Sequence, residues 1–144
     1  TDDIRRLVHG LRPPVLDDLG LVEAIRRLIT QVARSGLDVT ASLPDTLAPL
    51  PAAVETACYF ICQESLNNVL RHAQASYCHL EMRISDALCL SIEDDGVGIP
   101  AKHHTGIGLL SMRRRAIEIG GTFAVTIRPE GGTRVDVCLP IEGD

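Results

Sequence analysis

Tryptophan is absent, and the chain of 144 residues holds only two tyrosines and two phenylalanines. With a formal net charge of -5 it offers neither the basic surface that tracks a phosphate backbone nor aromatic platforms for stacking bases, so nucleic acid is disfavoured as a partner. No apolar run approaches the length of a membrane span, and no signal sequence is visible. The five cysteines, at 58, 62, 78, 89 and 138, are odd in number and form no Cys-x-x-Cys pair. Lying in apolar stretches, they read as reduced core thiols of a cytosolic protein rather than as a metal site. No G-x-x-x-x-G-K-S/T occurs, which removes a P-loop, and no strand runs straight into G-x-G-x-x-G and a helix, which argues against a Rossmann site. The chain begins at Thr1 rather than Met, as an excised piece would, and a membrane-anchored parent stays open.

What is present suits one compact domain, long enough to bury roughly two-thirds of its unfolded surface. Residues 2–11 are expected to be helical and to stop at Pro13-Pro14, leaving residues 1–19 as a stub and linker ahead of a domain over 20–144. A helix follows from about Gly20 to Ser35, with Leu21, Ile25, Leu28 and Val32 on one stripe and Gly36 as its stop. "DVTASL" reads as a short strand and 44–51 as a proline-punctuated loop, after which Pro51 suits the first turn of a long helix to about His72.

Four strands with period-two alternation come next: Cys78, Leu80, Met82 and Ile84; Leu88, Leu90 and Ile92; Phe123, Val125 and Ile127; Val135, Val137 and Leu139. "SD" at 85–86 and "PEGG" at 129–132 read as hairpin turns, and a helix from about Ile107 to Gly120-Gly121 separates the two hairpins. The expected fold is α+β: a two-layer sandwich whose mixed, mostly antiparallel sheet is covered on one face by helices.

The stretch "QESLNNVLRHA" breaks this pattern. At 100° per residue Glu64, Asn68 and His72 stack on one side, with Asn67 and Arg71 beside them, while Leu66, Cys62, Val69 and Ala73 already supply a core face. A solvated helix end explains Arg71 and His72, which suit the negative end of the helix dipole. Two adjacent asparagines are poor helix formers and gain nothing obvious from solvent. An amide oxygen suits Mg²⁺, a carboxylate one turn away suits a base, and Arg suits phosphate charge.

Strand parity adds a second polar group. Asp94 falls on the side of Leu88, Leu90 and Ile92, and Thr133 on that of Val135, Val137 and Leu139, so both are expected to face the core layer while Asp95 points away. An inward carboxylate needs a donor. The amides of its own glycine turn, "DDGVGIP", would serve, and so would the exocyclic amino group of adenine. The glycines at 96, 98, 106 and 108 allow close approach of backbone to a ligand.

These elements in this order resemble the GHKL ATPases, the family of DNA gyrase, Hsp90, histidine kinases and MutL. Glu64-x-x-x-Asn68 with Arg71 and His72 resembles its N box, Asp94, Gly96 and Gly98 its G1 box, and Gly106, Gly108 and Leu109 its G2 box. "LRPPVLDDLGLVEAI", "QESLNNVLRHA", "GIGLLSMRRRA" and "GGTRVDVCLP" look most like two-component sensor histidine kinases that partner NarL-type response regulators, a resemblance covering residues 5–140.

The resemblance implies that Asn68 coordinates Mg²⁺ on ATP, that Glu64 is the catalytic base or orienting group, and that Arg71 and His72 contact phosphate or the metal's shell. It likewise implies that Asp94 binds the adenine amino group with Thr133 close by, and that Gly96, Gly98, Gly106 and Gly108 shape the lid and phosphate loop. The γ-phosphoryl would pass to a histidine on a separate dimerisation domain, whose last helix would end within residues 1–19. The chain itself is expected as a monomer or weak dimer and its parent as a cytoplasmic-facing homodimer. His9, followed by Gly10, lacks the acidic neighbour of the family's phosphoacceptor. His79 is expected at the surface, and His103-His104 in a solvated lid between Ile99 and Thr105. The alternatives are an anti-sigma-factor-type serine kinase of the same fold, against which the "LRP" linker speaks, and a non-catalytic module whose nucleotide only orders the lid.

Overall fold

The computed structural model describes residues 12–97 and 107–141, with backbone alone at 72, 73 and 107. The expected helix over 2–11, His9, Gly98, Gly106 and the lid with His103-His104 lie outside the described residues.

The elements run α1 (Pro14–Leu19), α2 (Leu21–Ala33), β1 (Asp38–Ser42), α3 (Ala52–Asn68) with a π-helical turn over Val69–Ala73, β2 (Tyr77–Ile84), β3 (Ala87–Asp94), α4 (Ile107–Glu118), β4 (Thr122–Ile127) and β5 (Thr133–Pro140). Residues 14–19, expected as linker, instead form α1. Pro14 occupies the first helical position, where a missing N–H costs nothing, and Pro13 supplies the extended residue before it. Leu16 is buried, and Arg12 ties this helix to α3 through Nε to Asp17 at 2.9 Å and Nη2 to Glu55 at 2.8 Å.

The stripe of α2 is buried as its period demands, at Leu21, Ile25, Leu28 and Val32. Pro51 caps α3 from outside, at φ -55° and ψ 140°, rather than entering its first turn. Its restricted φ suits either place, and here the extended ψ keeps it out of the helix. Beyond Asn68 the helix widens into the π turn and stops at Gln74, which is left-handed at φ 51°.

The five strands lie in the order β1-β2-β3-β5-β4, with β1 parallel to β2 and every other pairing antiparallel. Ser85-Asp86 and residues 128–132 make the two hairpin turns, the second through Gly131 at φ 104° and Gly132 at φ 100°. On the helical side Cys78, Leu80, Met82, Leu88, Leu90, Ile92, Val135, Val137 and Leu139 are buried. Ile127, expected inward with Phe123 and Val125, is 52% exposed at the last residue of edge strand β4. α3 packs between α2 and α4 above the sheet.

One expectation about the cysteines is corrected. Cys89 and Cys138 are directly opposed on β3 and β5, with Cα atoms 4.1 Å apart, and form a disulfide on the side of the sheet that carries no helix. Cross-strand register brings together two residues 49 apart, which an odd count of scattered cysteines does not reveal. Cys58, Cys62 and Cys78 are free and buried, and burial together with Asp94 pushes the Cys78 thiol up to about 12.

Candidate functional site

Three elements turn a polar or small residue toward one cavity of about 30 Å³. α3 contributes Ser65, Asn68 and Val69; β3 contributes Ile92 and Asp94; β5 contributes Thr133 and Val135; Leu109 at the start of α4 closes it. That volume is room for one or two waters at the floor of the cleft. Val69, Ile92, Leu109 and Val135 make its apolar lining, and Ser65, Asn68, Asp94 and Thr133 its polar lining.

Asp94 is 5% exposed. Its Oδ1 accepts the Gly96 N–H at 2.8 Å, so the glycine turn takes part of the acid's capacity. Burial pushes the carboxyl above its ordinary value, against the downward pull of the Gly96 and Thr133 amides and of the Arg128 cation; Asp95 adds to the rise. Asp95 points the opposite way, as parity requires. It accepts the Ser76 N–H at 3.0 Å, the Ser76 hydroxyl at 2.8 Å and the Tyr77 N–H at 2.9 Å, and these bonds, led by the Ser76 hydroxyl, hold it below its ordinary value.

Thr133 is 4% exposed, and its Oγ1 is fully buried with no hydrogen-bond partner among the described residues. An unpaired buried hydroxyl costs about 1–3 kcal/mol, and such a group beside a carboxylate in a cavity is a partner kept for something that enters.

Next to Leu109, Gly108 lies against the α3 side chains. A Cβ there would stand 2.7 Å from Glu64 Oε2 and 3.4 Å from Asn68 Oδ1, so the absence of a side chain lets both oxygens share the space over α4's first turn. Glu64 is half-buried near Arg115, whose guanidinium stacks 4.2 Å over the Phe60 ring and is held below its ordinary value by burial first. Among the described residues no three His, Cys, Asp or Glu side chains converge as a metal cluster.

Of the residues singled out from sequence, the structure gathers Asn68, Asp94, Leu109 and Thr133 around the cavity, with Gly96 bonded to Asp94 and Gly108 against Glu64 and Asn68. Arg71 is exposed and outside the cavity lining; His72 lies in the π turn by its backbone. Asn67, placed beside Asn68 by sequence, borders a separate groove with Leu28, Gln31, Gln63 and Leu70. A step of 100° on a helix packed on both sides is enough to send neighbours to different faces. His79 is half-buried, its Nδ1 2.6 Å from Thr40 Oγ1.

Sequence reasoning missed Ser65, whose hydroxyl donates to Met112 Sδ at 3.2 Å, and Arg128, which donates Nη1 to the Asp94 carbonyl at 2.7 Å. The apolar walls Ile92 and Val135 were legible, since they share parity with Asp94 and Thr133.

The family described as histidine kinase-, DNA gyrase B-, and HSP90-like ATPase matches residues 53–143. The signal transduction histidine-protein kinase/phosphatase UhpB of Salmonella typhimurium is 40% identical over 143 residues, 96% of this chain and 28% of that protein. The sensor protein VraS of Staphylococcus epidermidis is 34% identical over 143 residues, 96% of this chain and 40% of that protein. The chain therefore spans well under half the length of these curated relatives. Among solved structures, the ATP-binding domain of PrrB from Mycobacterium tuberculosis superposes with a TM-score of 0.63 at 26% identity, over 84% of this chain and 93% of that one. A buried acid and an orphaned hydroxyl in one small cavity, with Asn68 lining it and Glu64 beside Asn68 over Gly108, thus sit within a matched region running from the start of α3 through β5: the chain belongs to the histidine kinase-, DNA gyrase B- and HSP90-like ATPases and is homologous to the ATP-binding domains of sensor histidine kinases.

Proposed function

We propose that this chain binds ATP with its adenine in the slot between α3 and the sheet, and delivers the γ-phosphoryl group to a histidine on a separate dimerisation domain. The observation that carries the reading is the Thr133 hydroxyl, buried and unpaired beside the buried Asp94 carboxylate. Adenine offers an exocyclic amine, a donor for the acid, and ring nitrogens that can use the hydroxyl directly or through water. Ile92, Val69, Leu109 and Val135 supply the faces for the ring.

The triphosphate then runs toward Asn68 and Glu64. Asn68 offers a hard, neutral amide oxygen of the kind that suits Mg²⁺ beside phosphate. Asn68 would hold that ion, whose bound charge offsets the charge of the phosphates. Glu64 orients the attacking imidazole and takes its proton while the bond from the γ-phosphorus to ADP breaks. Arg71 and His72, one turn further on, and the glycines at 96, 98, 106 and 108 would line the approach of the phosphates. The reaction is in-line transfer promoted by placement and charge neutralisation. The parent protein would be a homodimer working on the cytoplasmic side, with a NarL-type response regulator as the next acceptor. No helix among the described residues is long and apolar enough to cross a membrane.

The decisive experiment mixes this chain with a dimeric helical fragment carrying the histidine and labelled ATP. Acid-labile, base-stable label on the fragment is the expected result; acid-stable label on serine would turn the assignment to a serine kinase.

Two variants test Asn68 and the placement of Glu64 separately. Asn68→Ala is expected to keep binding adenosine while losing the Mg²⁺-dependent part of ATP affinity, read by calorimetry with and without the ion. Gly108→Ala adds a methyl that Glu64 must swing to avoid. It is expected to leave the melting temperature unchanged or raised, since Ala is the better helix residue by roughly 0.5–1 kcal/mol. Phosphoryl transfer should nevertheless fall on the order of a hundredfold through misplacement of the carboxylate.

A further inference from the structure

The Asp94 carbonyl has lost the partner that a central strand would give it. The β3–β5 ladder ends at Glu93 and Arg134, one residue short of Asp94. In place of a strand amide, the Arg128 guanidinium reaches over from the β4–β5 turn and donates Nη1 to the Asp94 carbonyl at 2.7 Å. Arg128 is itself held. Its backbone N–H donates to the Gly132 carbonyl at 2.9 Å, its carbonyl accepts the Gly131 N–H at 3.0 Å, and its Nε lies 3.5 Å from Glu130 and 4.0 Å from Glu93. Its side chain is 20% exposed. Gly132 leaves no room for a Cβ against the same carbonyl.

The Asp94–Asp95 peptide joins the carboxylate to the glycine turn that donates to it, and its N–H, on Asp95, donates to the Tyr77 carbonyl at 3.3 Å while its carbonyl takes Arg128. Holding the carbonyl therefore holds the carboxylate's aim. We propose that Arg128 is a positioning residue for nucleotide binding: by gripping the Asp94 main chain it keeps the carboxylate turned into the cavity between α3 and the sheet. The proposal rests on the assignment of the slot to adenine.

The charged and titratable groups around Asp94 are Glu93 on its own strand, Asp95 just after it, Cys78 opposite on β2, and Arg128 and Glu130 on the turn. Thr133 on β5 and Asn68 on α3 face it uncharged. Burial and Asp95 raise the carboxyl while Arg128 lowers it. Without Arg128 the carboxyl rises further, so affinity, which needs the anion, fails at a higher pH on acidification.

The test is calorimetry of a non-hydrolysable ATP analogue across pH on Arg128→Met, Arg128→Lys and Asp94→Asn. Arg128→Met is expected to raise Kd roughly tenfold at neutral pH and to move the acid limb of the binding profile to higher pH. Arg128→Lys, which keeps the cation, is expected to leave the acid limb in place with a smaller loss of affinity, and it is the variant to read should Arg128→Met melt below the assay temperature. A Kd for Arg128→Met within twofold of the parent, a loss equal at every pH, or an acid limb displaced in Arg128→Lys overturns the proposal. If Asp94→Asn fails to bind in the same experiment, only the role of Arg128 falls. If Asp94→Asn binds like the parent, the adenine assignment falls first.

Discussion

Asp94→Asn is expected to abolish ATP binding while leaving the unliganded chain at least as stable as the parent. Asparagine matches aspartate in shape, and its Oδ1 can keep the 2.8 Å bond from the Gly96 N–H. Its second position becomes an NH₂ donor where the purine brings a donor too. Losing a charged acceptor costs about 1.5–3 kcal/mol, and the unsatisfied donor adds to it, so Kd rises at least on the order of a hundredfold. Stability moves the other way. Burial, the largest influence on Asp94, raises its carboxyl above the ordinary value. A raised carboxyl binds its proton more tightly in the folded chain than in the unfolded one. Folding stability is therefore lost as pH climbs from the ordinary value through the raised one, and stays lost at neutral pH. Asparagine carries no such penalty. Thermal melting at neutral pH should place the variant level with the parent or above it, with the difference vanishing below the ordinary carboxylate range. Weak binding together with a lowered melting temperature would instead identify Asp94 as a structural acid.

Gly132→Ala is expected to cause the largest loss of stability of any glycine-to-alanine change among the described residues. Gly132 sits at φ 100°, a conformation that L side chains rarely adopt, and a Cβ there would fall inside the van der Waals shell of the Asp94 carbonyl oxygen. Neither atom can yield cheaply, because the oxygen is backbone and the Cβ is fixed directly to the backbone by the Cα of Gly132. Strain of this kind costs about 3 kcal/mol or more, which for a chain of this size lowers the melting temperature by roughly 6–12 °C. Gly131 makes the control. At φ 104° it shares the backbone strain, yet its nearest contact would be the Gly96 carbonyl at 4.0 Å. Gly131→Ala should cost only about 1–2 kcal/mol, so the difference between the two variants isolates the collision with Asp94. Equal melting temperatures would mean that the turn shifts as a body and does not back the acid.

What sequence made legible here is what period and parity can carry. The stripe of α2, the inward faces of β2, β3 and β5, and the inward turn of Asp94 and Thr133 all follow from residues a few positions apart. The same holds for the polar flank of α3 at Glu64 and Asn68. What sequence did not make legible depends on contacts between distant segments. Arg128 reaches Asp94 across 34 positions, Cys89 meets Cys138 through strand register, and Ser65 donates to Met112 on another helix. Asn67 turned away from Asn68 because α3 is packed on two sides, so its neighbouring grooves belong to different partners. α1 was hidden for a different reason: a proline pair is punctuation that can close one helix or open the next, and only the burial of Leu16 says which.

The strand order carries one last consequence. Asp94 and Thr133 ride on β3 and β5, each flanked by a neighbour on both sides, while Glu64 and Asn68 stand just before a helix widens and unwinds at Gln74. Central strands open only with the whole domain, whereas helix ends open alone. Amide deuterium exchange of the empty chain should therefore find the strands under Asp94 and Thr133 already built, and leave the polar helix end as the portion that the proposed nucleotide would set in order.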